Sequence, residues 1–147
     1  MQEIFFPVFI NFKNKNCLVI GGGNIAKRKI ETLISYGADV EIIASQIKEG
    51  IKELAFNSKL KIIEKEYQKE DLKNRFLVVA ATDNEALNSK IVQECEKINI
   101  LVNNITSKSN MNTRFCTVLE KEDYVLGISG KGNPRKALEV KKRLKEI

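Results

Sequence analysis

The chain has no histidine, no tryptophan, two prolines and three cysteines in 147 residues. Without histidine there is no Ser-His or Cys-His nucleophile pair, no imidazole acid–base and no metal site built on imidazole. Cys17, Cys95 and Cys116 are odd in number, far apart and never in a C-x-x-C pair. That argues against a disulfide framework or a zinc knuckle and for a reducing, cytoplasmic setting. No apolar run approaches the roughly 18 residues that a spanning helix needs, so no membrane partner is expected. Met1-Gln2-Glu3 puts no basic segment ahead of the first apolar stretch, so no signal peptide is expected either. No metal ligands stand out, and any chemistry falls to a bound cofactor.

What is present suits one folded domain with a real core: 43% apolar and 30% charged residues. The net charge of +6 is concentrated at the C-terminal end, where Lys131, Arg135, Lys136, Lys141, Lys142, Arg143 and Lys145 face only Glu139 and Glu146. Such a run is either a solvated helix face or a surface for an anionic ligand. With no aromatic residues interleaved, single-strand stacking is weak, and no nucleic-acid partner is expected.

Strand-like and helix-like periodicities alternate along the chain. Ile4–Ile10, broken by Pro7, reads as an edge strand or a lead-in segment. Cys17–Ile20 is a short, wholly apolar strand of the kind buried in parallel sheets. A helix follows with Ala26, Ile30, Leu33 and Ile34 on one face, closed by Gly37. Val40–Ala44 is a second strand, Ile47, Ile51, Leu54 and Ala55 mark a second helix, and Leu60–Ile63 is a third strand. Phe76–Ala81 is a fourth strand, followed by a helix capped by Asp83 or Asn84 and bearing Leu87, Ile91, Cys95 and Ile98. Ile100–Val102 is a fifth strand, and 104–113 is polar and loop-like. Phe115–Leu119 and Tyr124–Ser129 read as two further strands with a turn at Glu122-Asp123. Asn133-Pro134 starts a last helix whose buried stripe is Ala137, Val140, Leu144 and Ile147. The fold class is therefore α/β: a Rossmann-like parallel sheet with flanking helices, then a short β-rich segment and a C-terminal helix. Residues 1–105 make the nucleotide-binding domain, and 106–147 a dimerisation and substrate-side segment ending in the basic helix.

The most informative stretch is Gly21-Gly22-Gly23-Asn24-Ile25-Ala26, which holds the G-x-G-x-x-G/A spacing between a buried strand and an amphipathic helix. Gly21 permits the tight turn, Gly23 lets a pyrophosphate approach the backbone, and Ala26 lets helix and strand pack closely. An acid that reads the ribose would stand at the end of the second strand, where this chain has Ile43-Ala44-Ser45-Gln46. Ser45 and Gln46 either contact the ribose or cap the following helix. Thr82, at the same edge of the sheet, is a cofactor-lining candidate. Asp83 either lines that edge or caps a helix, and Asn103 either lines the site or bridges loop backbone.

These residues resemble a known family. Phe5-Phe6-Pro7-Val8-Phe9, then Cys17 to Lys29, Tyr36-Gly37-Ala38-Asp39-Val40, Phe76 to Asp83, Val102-Asn103 and Gly127 to Pro134 match, in order, the siroheme synthase N-terminal domain. That family comprises precorrin-2 dehydrogenases, some of which double as sirohydrochlorin ferrochelatases. The resemblance implies NAD-dependent dehydrogenation of precorrin-2 to sirohydrochlorin in siroheme or cobalamin synthesis, by a homodimer. It carries Asn24 and Ile25 to the pyrophosphate side, beside Gly21, Gly22 and Gly23, and Ser45 and Gln46 to the adenosine ribose; in a dehydrogenase Thr82 and Asn103 would then line the nicotinamide side. The precorrin-2 tetrapyrrole, with its many carboxylates, would suit the basic C-terminal stretch. The chain departs from the family pattern where the family carries an Asp after the fifth strand: that position is Thr106, so no catalytic residue is assigned. Ser129-Gly130-Lys131-Gly132 and Arg114-Phe115-Cys116 also differ from the family's segments, and relatives continue into a further helical region. The alternative is a non-catalytic, dinucleotide-binding or partner-dependent module. Ferrochelatase activity, lacking a carboxylate pair beyond Glu122 and Asp123, ranks behind both.

Overall fold

The wholly apolar runs Cys17–Ile20 and Leu77–Ala80 become adjacent inner strands of a five-stranded parallel sheet, because a run that is apolar at every position is stable only when both faces of its sheet are covered. The computed structural model describes residues 4–147. Its first eight elements are β1 (Asn16–Ile20), α1 (Asn24–Ser35), β2 (Asp39–Ala44), α2 (Glu49–Phe56), β3 (Lys61–Glu64), β4 (Leu77–Ala80), α3 (Glu85–Lys97) and β5 (Leu101–Asn104). A single 3₁₀ turn, Lys69–Leu72, precedes β4. The sheet order is β3-β2-β1-β4-β5, all parallel. The chain therefore winds outward from β1 to β3, then returns to the other side of β1. The switch point between β1 and β4 is where open α/β sheets bind ligands, at the carboxyl ends of the strands.

Leu18, Ile20, Val78, Ala80 and Val102 form one layer of the core with Ile91, Val92 and Cys95 of α3. Alternate residues, Val19, Ile42 and Val79, point to the opposite face and are equally sealed from solvent. On α1, Ala26, Ile30 and Leu33 are buried. Each fully buried Leu or Ile contributes about 1.5–3 kcal/mol by leaving water. At the amino end of the strands, the Arg75 guanidinium donates to Glu41 Oε2 at 2.7 Å and Asn16 Oδ1 at 2.9 Å, and its Nε to the Asp71 carbonyl at 3.0 Å. That one side chain ties β1, β2 and the 3₁₀ turn together.

Several expectations need correction at their edges. Residues 4–10 form no strand and lead into the sheet as irregular chain, with Ile4, Phe6, Val8 and Phe9 exposed. Ile47 lies before α2, which starts at Glu49. Ile98 is the residue after α3 rather than part of its stripe, and it is half-exposed. Strand β5 continues through Asn103 and Asn104, both buried, although asparagine in a strand reads locally as loop.

Residues 4–9 and 113–147 form a compact unit separate from 10–112. Its strands β6 (Thr117–Glu120) and β7 (Val125–Ile128) pair antiparallel with each other. They neither extend the larger sheet nor lack a partner in the chain. Lys121 N–H closes the turn on the Tyr124 carbonyl at 2.9 Å, so Glu122 and Asp123 occupy the hairpin tip. Helix α4 (Pro134–Leu144) is capped by Asn133 Oδ1, which accepts from the Arg135 and Lys136 amides at 3.1 and 3.2 Å. Ala137 is buried against this hairpin, Val140 and Leu144 are half-buried, and Ile147 is exposed beyond the helix end. Ile147 thus drops out of the expected stripe because the helix stops one turn too early to carry it.

Candidate functional site

The three glycines after β1 have different reasons to be glycine. Gly21 has φ +127°, and a Cβ there would stand 2.1 Å from the Ala81 carbonyl oxygen. Its N–H donates to the Ile43 carbonyl at 2.9 Å. A Cβ on Gly22 would stand 2.1 Å from the Gln46 carbonyl oxygen, and the Gly22 carbonyl accepts the Lys48 N–H at 3.0 Å. Both are therefore held by backbone packing. Gly23 has ordinary extended backbone, φ −96° and ψ −168°, and a Cβ there would meet nothing within 4 Å. No internal contact asks for glycine at 23, so the open space beside it is the feature to explain.

Gly23 is also the N-cap of α1, which has no side-chain cap and no acid in its first turn. The donor end of the helix is left for an anionic group. A cavity of about 980 Å³ lies over this turn, within the range of small-molecule sites. Of the residues expected to hold a cofactor, Gly21, Gly22, Gly23, Asn24, Ile25, Ser45, Gln46 and Thr82 all line it. Asn103 does not: it is buried in β5, its amide donating to Met111 Sδ at 3.4 Å. Ser45 and Gln46 do not cap α2, whose N-cap is Lys48 without a side-chain bond. Both are exposed at the cavity's β2 side.

The β4–β5 side is organised by a residue that sequence reasoning passed over. Asn88 is fully buried on α3. Its Oδ1 accepts from the Thr82 hydroxyl at 2.6 Å and the Thr82 N–H at 3.2 Å. Its Nδ2 donates to the Thr82 carbonyl at 3.0 Å and to Thr106 Oγ1 at 3.2 Å. Thr106 in turn donates its hydroxyl to Asn104 Oδ1 at 2.9 Å. One carboxamide thus joins the ends of β4 and β5. The signal was present: an asparagine between Leu87 and Ile91 falls on the apolar face of the helix, where an amide must find partners. The cap of α3 is Asn84, whose Oδ1 accepts the Leu87 N–H at 3.0 Å. Asp83, exposed at the cavity edge, is not that cap.

The β3 side adds Lys65, Glu66 and Tyr67, which the sequence did not mark because their spacing belongs to no motif. Lys65 Nζ pairs with Asp71 at 2.7 Å. Tyr67 donates to Glu94 Oε1 at 2.9 Å, and burial together with that carboxylate holds its phenol protonated well above the ordinary range. Burial pushes the Cys17 thiol up to about 11 and the Cys95 thiol up to about 12. Neither cysteine lines the cavity. Among the described residues, no three His, Cys, Asp or Glu side chains gather as metal ligands, and no helix is long and apolar enough to cross a membrane.

Comparison with known proteins places this geometry. The model of a family described as "Putative NAD(P)-binding" matches residues 8–117. The siroheme synthase of Psychromonas ingrahamii is 33% identical over 144 residues, covering 97% of this chain and 30% of that protein. The siroheme synthase of Mannheimia succiniciproducens is 34% identical over 128 residues, covering 87% of this chain and 27% of that protein. The chain thus spans less than a third of the length of these curated relatives. Among solved structures, SirC, a precorrin-2 dehydrogenase, superposes with a TM-score of 0.79 at 28% identity, over 97% of this chain and 70% of that one.

Proposed function

We propose, from the premise that this chain belongs to the siroheme synthase N-terminal domain family of NAD(P)-binding proteins, that it catalyses the NAD-dependent dehydrogenation of precorrin-2 to sirohydrochlorin. The observation that carries this reading is Gly23: a glycine no internal contact requires, at the uncapped donor end of α1, beside a cavity of cofactor size. A pyrophosphate fits that cradle, with Gly21 to Ile25 around it. Ser45 and Gln46 offer a neutral hydroxyl and amide to the adenosine ribose. Thr82, which lines the cavity, belongs to the nicotinamide side; Asn103, buried behind it, has no place in the contact set. Bound NAD supplies the hydride acceptor.

The chain's own residues position that acceptor. Asn88 fixes the floor between β4 and β5, and Tyr67 is held neutral by burial and Glu94. The substrate is a polycarboxylate tetrapyrrole, and the basic residues between 131 and 145 attract it. In this reading residues 1–105 are the NAD-binding domain and 106–147 the dimerisation and substrate-side segment of a cytoplasmic homodimer, a setting that suits three free thiols.

The test is anaerobic incubation with NAD+ and enzymatically generated precorrin-2, following NADH and sirohydrochlorin absorbance together. Equimolar appearance of both supports the dehydrogenase. Absence of turnover, with NAD+ binding established by calorimetry, overturns it in favour of a non-catalytic dinucleotide-binding module.

A further inference from the structure

Dehydrogenation at a nicotinamide releases a proton as well as a hydride, and the cavity holds few groups able to take one. The chain has no histidine. The Thr106 hydroxyl donates to Asn104 Oδ1 and accepts from Asn88 Nδ2, so it is engaged on both sides and is no base. Tyr67 is a phenol held protonated against Glu94. Lys65 is paired with Asp71, and Lys48 is an exposed cationic side chain. Two carboxylates remain on the cavity wall, Glu66 and Asp83.

Their positions in the sheet separate them. Glu66 follows β3, at the edge of the order β3-β2-β1-β4-β5. It is three strand spacings, about 14 Å, from β4. Asp83 follows β4 on the side opposite the β2 end. The register pairs Ala80 with Asn104, and continuing it by two residues sets Thr82 beside Thr106, as their shared bonds to Asn88 confirm. Asp83 is the next residue after this pair. Asn84 has relieved it of helix capping, and among the described residues no salt bridge or side-chain hydrogen bond engages its carboxylate.

We propose that Asp83 is the proton acceptor of the reaction at this site. The proposal rests on the dehydrogenase reading given above. In the step, the tetrapyrrole loses two electrons and two hydrogens. One hydrogen leaves with the electron pair of its C–H bond as hydride to C4 of the nicotinamide, reducing NAD+ to NADH. The other leaves as a proton to the Asp83 carboxylate, which then passes it to water.

The experiment uses the full chain and the Asp83→Ala and Asp83→Asn variants, with precorrin-2 and NAD+ under anaerobic conditions. Both variants should bind NAD+ within about twofold of the parent while kcat falls about 100-fold or more, the usual contribution of a positioned base. Sodium formate, a small exogenous carboxylate, should restore turnover to Asp83→Ala. A kcat retained within about threefold overturns the assignment. So does a fall that formate does not reverse, which would make Asp83 structural. Absence of turnover in the parent chain overturns the dehydrogenase reading itself and this assignment with it.

Discussion

Substituting the glycines one at a time separates packing from ligand binding. In Gly21→Ala, a residue at φ +127° enters backbone territory that costs about 1–3 kcal/mol for a side-chain-bearing residue. Its Cβ, 2.1 Å from the Ala81 carbonyl oxygen, forces a backbone shift of similar cost. A loss of about 3 kcal/mol, at about 2–4 °C per kcal/mol for a chain of this size, lowers the melting midpoint by about 10 °C. In Gly23→Val the backbone is already extended and the space open. Only the exchange of a glycine N-cap for an apolar one remains, about 1 kcal/mol or less and under about 4 °C. The isopropyl group then occupies the approach to the helix N-terminus, and NAD+ affinity should fall at least tenfold, about 1.4 kcal/mol. Thermal melts by circular dichroism read the first quantity and titration calorimetry the second. A Gly23→Val chain that binds NAD+ as tightly as the parent, or melts as low as Gly21→Ala, would refute the argument.

Two further expectations concern the interior. Asn88→Ala strips partners from Thr82 and Thr106 inside a buried network and should cost about 2–4 kcal/mol in urea unfolding with an unchanged m-value. A midpoint within error of the parent would show that water replaces the amide. At pH 8 the folded chain should release one equivalent of thiol to a disulfide reagent, from exposed Cys116, and all three in guanidinium. The thiols of Cys17 and Cys95, raised by burial to about 11 and about 12, favour the folded state fully below the unfolded thiol value. They lose that contribution as pH rises through their folded values. Stability should therefore decline between about pH 9 and pH 12, and a melting midpoint flat over that window would contradict it.

The succession of strands and helices along the chain and the glycine turn were legible because both rest on local chemistry: short apolar runs alternating with helical periodicity, and glycines at a fixed spacing beside a helix start. Element ends were less so. Ile98 and Ile147 continue an apolar period in the sequence, but the helices end before reaching them, and periodicity carries no term for a helix's last hydrogen bond. Asn103 and Asn104 looked like loop because their strand character depends on pairing with Val79 and Ala80, residues some 24 positions earlier in the chain. The pairing of β6 with β7 is local by contrast, and the turn expected at Glu122-Asp123 is the tip of their hairpin. In the site, the glycine and β2 contributions were visible as motif. The Asn88 bridge and the β3 wall emerge only once the sheet brings separate segments to one edge.

The stitching of the glycine turn has a thermodynamic consequence. Gly21 N–H is bonded to the Ile43 carbonyl and the Gly22 carbonyl to Lys48 N–H, so the turn proposed to cradle phosphate is fastened to β2 and to the start of α2. The entropy of ordering that cradle is lost when the chain folds, before a dinucleotide arrives, and association is spared the cost of arranging a floppy loop. Occupancy and folding are then linked: ligand that binds only the ordered turn draws the equilibrium away from every opened form in which β1 and β2 have parted. On the dehydrogenase reading proposed above, the dinucleotide is then a folding ligand as much as a reagent.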